Sequence, residues 1–138
     1  MRHTTDVTWN GKMQFDAIVN GHHVKMDSSV ENDGDNTGAR PKPLMLAALA
    51  GCTGMDVVSL LEKMRVQLDE LHIKVDGDTD SKLPNPFEKM HVIYEMRVKD
   101  PDMDKINKAV RLSFEKYCGV ADVYRKAGIE MTYEIKML

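Results

Sequence analysis

Clustered positive charge is absent from this chain. Its 19 Lys and Arg are outnumbered by 22 Asp and Glu, for a net charge of -3. Binding to phosphates needs basic residues gathered in one place, so nucleic acid and anionic lipid are poor partners. Cysteine is nearly absent as well. Cys52 and Cys118 are the only two, 66 positions apart, which fits neither a zinc-ligand spacing nor a thioredoxin-type pair. The opening stretch MRHTTDVTWNG lacks the apolar centre of a signal peptide, and no uninterrupted apolar run approaches the roughly 18 residues of a membrane span. A cytoplasmic location is therefore expected, where a permanent disulfide is disfavoured and any bond between the two thiols is transient. Repeats and low-complexity segments are missing too.

What is present is ordinary globular material: 138 residues, 42% hydrophobic and 30% charged, enough for one domain spanning 1–138 and too little for two independent ones. Residues 3–27 alternate and are broken at Asn10-Gly11 and Asn20-Gly21, hairpin signals that predict a three-stranded meander. Met13, Phe15, Ala17 and Val19 are expected on one face, covered from the first strand by Val7 and Trp9. The polar stretch 28–40 shows no period and reads as a mobile surface loop, a connection or a lid. Pro41 and Pro43 introduce a helix from about 44 to 65, apolar on every side in its first half, which predicts burial all round. A chain this small cannot supply that cover alone, so a second subunit is expected.

Alternation at 71–75 and 90–98, on either side of Pro84-Asn85-Pro86, predicts two more strands. Asp102 is placed to cap a helix over 103–117, with Ile106, Ala109, Val110, Ser113, Phe114 and Tyr117 at helical spacing. Cys118 and Gly119 interrupt it, a short helix ends at Gly128, and a last strand puts Ile129, Met131, Tyr133, Ile135 and Met137 inward. The order is βββ-α-ββ-αα-β, an α+β domain with mainly antiparallel sheet around a long central helix.

By residue type, Cys52 is most simply a small buried hydrophobe. Yet Gly51 and Gly54 flank it on a helix, where each costs about 0.5–1 kcal/mol relative to alanine, and small neighbours let a second group approach the sulfur. Cys118 packs comfortably between Tyr117 and Val120, but it also opens a helix, where free N–H groups favour a thiolate. Two such cysteines in a reducing compartment read as a peroxide-reducing pair, one attacking and one resolving. Other chemistries have less behind them. The aspartates at 76–80 lack the glycine and glutamate of a calcium loop, where Ser81 and Phe87 stand. His22 and His23 point to opposite faces of a strand, the methionines fall at core positions, and Ser59 and Ser113 lack a hydrolase elbow.

The run GARPKPLMLAALAGCTGMDVVSLLEK, Gly38 to Lys63, followed by FEKYCGVADVYRKAG, Phe114 to Gly128, resembles the OsmC/Ohr family of osmotically inducible and organic hydroperoxide resistance proteins, and its short OsmC-like branch most. The resemblance covers essentially the whole chain. It implies an intertwined homodimer with its sites at the interface, Cys52 as the peroxidatic cysteine and Cys118 as the resolving one. The implied cycle runs through a Cys52 sulfenic acid and a Cys52–Cys118 disulfide, with no bound cofactor or metal and an external dithiol as reductant.

The chain departs from the family pattern at two places. The hydroperoxide reductases use a glutamate shortly before the first cysteine and an arginine from the N-terminal hairpin. Here Pro41-Lys42-Pro43-Leu44 has no carboxylate, and the hairpin offers Lys12 but no arginine beyond Arg2. Arg40 or Lys42 is a candidate cation, with a solvated loop charge as the plainer reading. Asp56, four residues after Cys52, shares its helix face. The reading is thus a cysteine peroxidase acting on organic hydroperoxides in oxidative stress defence. The alternatives are a non-catalytic dimeric binding or redox-sensing protein of the same fold, and a purely structural one.

Overall fold

The computed structural model describes residues 1–138, in two compact units, Met1–Met45 and Leu46–Leu138. The first unit is the expected meander: β1 (Asp6–Trp9), β2 (Phe15–Val19) and β3 (His22–Met26), in that order and antiparallel. Asn20 and Gly21 both take positive φ, 50° and 80°, the backbone that a two-residue hairpin turn demands. The Asn10-Gly11 turn is wider, with positive φ at Gly11 and Lys12, and Met13 lies in it rather than on a strand. Of the expected core face only Ala17 is buried; Val7, Trp9, Phe15 and Val19 are exposed.

Residues 28–40, expected as a mobile loop, are tied down by hydrogen bonds, several of them to one carboxylate. Asp27 is 3% exposed and accepts from the amides of Ser28, Asp35 and Thr37 and from the Thr37 hydroxyl, at 2.6 to 3.3 Å. A short 3₁₀ turn at Val30–Asn32 and a bridge between Met26 and Ala39 complete the wrap. The Thr37 bonds hold the Asp27 carboxyl down at about 2, from an ordinary 3.8. Because the folded value is depressed, the tether is at full strength above the ordinary value and is lost as pH falls toward 2. Hydrogen-exchange protection factors at the Asp35 and Thr37 amides should therefore collapse between pH 4 and 2. In Asp27→Ala they should be absent at every pH.

The second unit is built on β4 (Gln67–Thr79), β5 (Phe87–Lys99) and β6 (Glu130–Met137), with β5 in the centre. β4 and β5 pair antiparallel, whereas β5 and β6 pair parallel. That parallel pairing requires a crossover, supplied by α2 (Met103–Leu112), a wide π turn (Ser113–Tyr117) and α3 (Gly119–Lys126). Asp102 caps α2 by accepting from the Lys105 amide, as expected. The helix ends at Leu112 rather than Tyr117, because the chain widens there by one residue. Tyr117 is half-exposed as a result. On β5, Met90, Val92, Tyr94 and Met96 are buried, while β6 contributes half-buried Met131, Tyr133 and Ile135.

The long helix, α1 (Leu44–Lys63), buries one stripe rather than its whole circumference. Leu49, Thr53, Val57 and Leu61 are fully buried at successive i+4 positions, while Met55 and Val58 are 77% and 46% exposed. A Cβ on Gly54 would come within 2.9 Å of the Ile73 side chain, so this glycine lets α1 settle closely on β4. By length and mean hydropathy, 1.8 over its most apolar stretch, α1 would suffice to cross a membrane. Its buried stripe contains a hydrogen-bonded threonine and packs on a sheet, the behaviour of a domain's central helix.

Candidate functional site

Both cysteines are brought to one spot. Cys52 lies on α1, half-buried, and Cys118 forms the N-cap of α3, 2% exposed; neither is in a disulfide. The Cys52 and Cys118 sulfurs and a carboxylate oxygen of Asp56 all lie within 4.8 Å of one another. The i+4 step from Cys52 to Asp56 follows from helical geometry. The approach of Cys118 comes from the π turn, across which the Cys118 amide donates to the Ser113 carbonyl at 2.8 Å. Such wide turns recur at functional sites because they redirect a single residue.

Ser113 ties the two cysteine-bearing segments together. Its hydroxyl lies 2.8 Å from Thr53 Oγ1, 3.2 Å from the Thr53 carbonyl and 3.0 Å from Asp56 Oδ2. Thr53 Oγ1 in turn lies 2.6 Å from the Tyr94 hydroxyl. These three polar groups sit in core positions with partners for every buried side-chain atom, as burial requires. Helical spacing in the sequence places Ser113 inward and the alternation over 90–98 includes Tyr94, whereas Thr53 has no such marker. The available signal was a hydroxyl in each of three otherwise apolar stripes that converge on the cysteine.

The electrostatics separate the two thiols. Burial pushes the Cys118 thiol up to about 11, and the hydrogen bond that it gives Cys52 adds to this, against the Ala121 amide, 3.4 Å from the sulfur. The expectation that a helix start would favour a Cys118 thiolate is thus overturned by desolvation, which outweighs the Ala121 and Val120 amides. Tyr94 is pushed up by burial as well. Of the cations considered from sequence, Arg40 bonds Asn36 Oδ1 and the Gly38 carbonyl, and Lys12 pairs with Asp35 at 2.7 Å. Two thiols and one carboxylate, the latter already bound by Ser113, fall short of the four ligands of a structural zinc site.

Two openings border the site. Asp56, Ser59, Leu60 and Lys63, on one face of α1, line a groove of about 450 Å³ with Tyr117. Gly51, Gly54, Met55 and Val58 line a shallower apolar one with Leu71, and a Cβ on Gly51 would meet nothing within 4 Å. Gly51 is therefore not required by the packing of this chain.

A small α+β domain presenting an unbridged pair of adjacent thiols, one half-buried and one buried, fits a redox role. The chain belongs to the OsmC-like protein family, whose model matches residues 34–134. It is 32% identical to Protein YhfA of Escherichia coli K12 over 118 residues, 85% of each chain. Among solved structures, an OsmC-like protein from Mycoplasma pneumoniae superposes with a TM-score of 0.86 at 11% identity, covering 100% of this chain and 98% of that one. The organic hydroperoxide resistance protein OhrB of Bacillus subtilis does so at 0.61 and 20% identity, covering 98% of each. At these identities the two structures establish the fold.

Proposed function

We propose that this protein is a cytoplasmic, homodimeric thiol peroxidase that reduces organic hydroperoxides in oxidative stress defence and is recycled by an external dithiol. One observation carries the reading: two thiols in reach of each other, of which only Cys52 is open to a substrate. The Cys52 thiolate attacks the distal oxygen of the hydroperoxide; the O–O bond breaks, the alkoxide takes a proton and leaves as the alcohol, and Cys52 becomes a sulfenic acid. Cys118 then attacks the Cys52 sulfur, releasing water and forming the disulfide. A dithiol restores both thiols and is itself oxidised to a disulfide.

A second subunit is supported by the exposed apolar surfaces that this chain does not cover, Val7, Trp9 and Phe15 on the meander and Met55 and Val58 on α1. The apolar groove beside Gly51, lined also by Met55, Val58 and Leu71, favours an organic peroxide over hydrogen peroxide. The missing glutamate and arginine favour a second reading, a redox sensor that is oxidised once and does not turn over. Cumene hydroperoxide in excess, with dithiothreitol as reductant, distinguishes them. The peroxidase consumes many equivalents per subunit and slows sharply with a monothiol reductant, because a disulfide is released intramolecularly by the second thiol of a dithiol. Consumption that stops at one equivalent in the presence of dithiothreitol establishes the sensor.

A further inference from the structure

In the cycle above, the resolving step faces a difficulty that the structure makes specific. Cys118 must lose its proton to attack Cys52, yet it is buried and its thiol is pushed up to about 11. A base is needed within reach. We propose that Asp56 is that base: its carboxylate takes the Cys118 proton as the Cys118–Cys52 bond forms, and passes it to the departing hydroxide, which leaves as water. This rests on the peroxidase reading of the same site and deepens it by naming the group that moves the proton. The balance is complete: one S–H and one S–O bond break, one S–S and one O–H bond form, and Asp56 ends as it began.

The carboxylate is placed for this. One of its oxygens lies within 4.8 Å of both sulfurs, and Oδ2 lies 3.0 Å from the Ser113 hydroxyl. Ser113 has one proton for two acceptors, Asp56 Oδ2 and the Thr53 carbonyl, and the charged acceptor is the stronger. With that proton directed to Asp56, Thr53 donates to Ser113 and Tyr94 to Thr53, at 2.8 and 2.6 Å. Every proton of the chain then points toward the carboxylate, so the network holds Asp56 in place beside the two sulfurs. Asp56 also lines the groove with Ser59 and Lys63, which gives the departing water an exit.

The other titratable groups around the thiols do not fill the role. Burial pushes the Tyr94 phenol of β5 and the Tyr124 phenol of α3 up, and Tyr133 of β6 packs its ring against Phe114 at 4.8 Å. On α3, Asp122 pairs with Lys126 at 2.8 Å and Arg125 bonds the Phe114 carbonyl. Cys52 is the sulfur under attack.

The test uses the full chain and a probe that does not depend on peroxide chemistry. With 5,5′-dithiobis(2-nitrobenzoate), Cys52 forms a mixed disulfide and releases one thionitrobenzoate, and attack by Cys118 releases the second; the second phase reads the Cys118 step alone. In Asp56→Asn this phase should slow by about 100-fold near neutral pH, the size of a lost general base, and should rise steeply with pH as solvent base takes over. Asp56→Glu should retain more of the rate than Asp56→Asn, and Ser113→Ala should fall between wild type and Asp56→Asn. The opposing account, in which Asp56 acts only as a neighbouring charge, predicts the reverse sign, since removing a negative charge eases thiolate formation. A second phase in Asp56→Asn as fast as wild type, or faster, overturns the proposal. Treatment with cumene hydroperoxide separates the two claims: if wild type never forms a sulfenic acid, the peroxidase reading fails, while the thionitrobenzoate phases still decide the role of Asp56.

Discussion

Cys52→Ser is expected to abolish the consumption of cumene hydroperoxide, by at least about 1,000-fold, since the nucleophile has no substitute. Cys118 does not replace it: it is 2% exposed, its thiol is pushed up to about 11, and it donates a hydrogen bond to Cys52. Cys118→Ser should behave differently. Its first equivalent of peroxide is reduced normally, because Cys52 remains half-open, but the sulfenic acid then persists and further peroxide carries it to the sulfinic acid, a gain of two oxygen atoms. Stopped-flow peroxide consumption and intact mass after graded additions check both variants. Equal loss of the first turnover in the two variants would mean that Cys118 is part of the attacking group.

Leu49→Ala is expected to destabilise the protein by about 3 kcal/mol, within the usual range for a buried leucine. Leu49 is fully buried on the stripe of α1 that also carries Thr53. For a domain of this size the melting temperature should fall by about 10 °C, and against a typical stability of about 5–15 kcal/mol the loss is large. Met55→Ala on the same helix is the contrast. With 77% exposure it should be within about 0.5 kcal/mol of wild type in an isolated chain. In the homodimer proposed above it should instead weaken association, giving a midpoint that shifts with protein concentration. Urea denaturation at two concentrations measures both. A Met55→Ala protein that unfolds like wild type at every concentration contradicts a dimer interface on that face.

Much of the architecture was legible because it rests on local periodicity. Asn20-Gly21, the Asp102 cap and Gly128, which takes a φ of 89°, fix ends and turns by chemistry that two or three residues carry. Alternation in 90–98 fixes the inward face of β5, where Met90, Val92, Tyr94 and Met96 are buried. What local pattern cannot carry is long-range. The Asp27 tether depends on acceptors meeting amides 8 to 10 residues on, so a polar, aperiodic loop looked mobile. The parallel pairing of β6 with β5 has no signature in either strand.

The site was half legible for the same reason. Cys52 and Asp56 are joined by a helical step that any reader can count. The approach of Cys118 depends on the π turn, which ends a pattern continuous to Tyr117 in sequence. The link from Ser113 to Thr53 spans 60 residues, and no property of either residue announces it. The reversal at Cys118, from an expected thiolate to a thiol held protonated, came from burial, which a helix start alone does not reveal.

The central claim is that Cys52 and Cys118 work as a redox pair, and a free-thiol count with intact mass tests it most directly. The reduced, folded protein should show two free thiols, and one equivalent of cumene hydroperoxide should remove both, with a mass loss of two hydrogen atoms and a Cys52–Cys118 peptide on digestion. Two thiols surviving that equivalent would contradict the account and leave the paired cysteines as packing or a ligand contact.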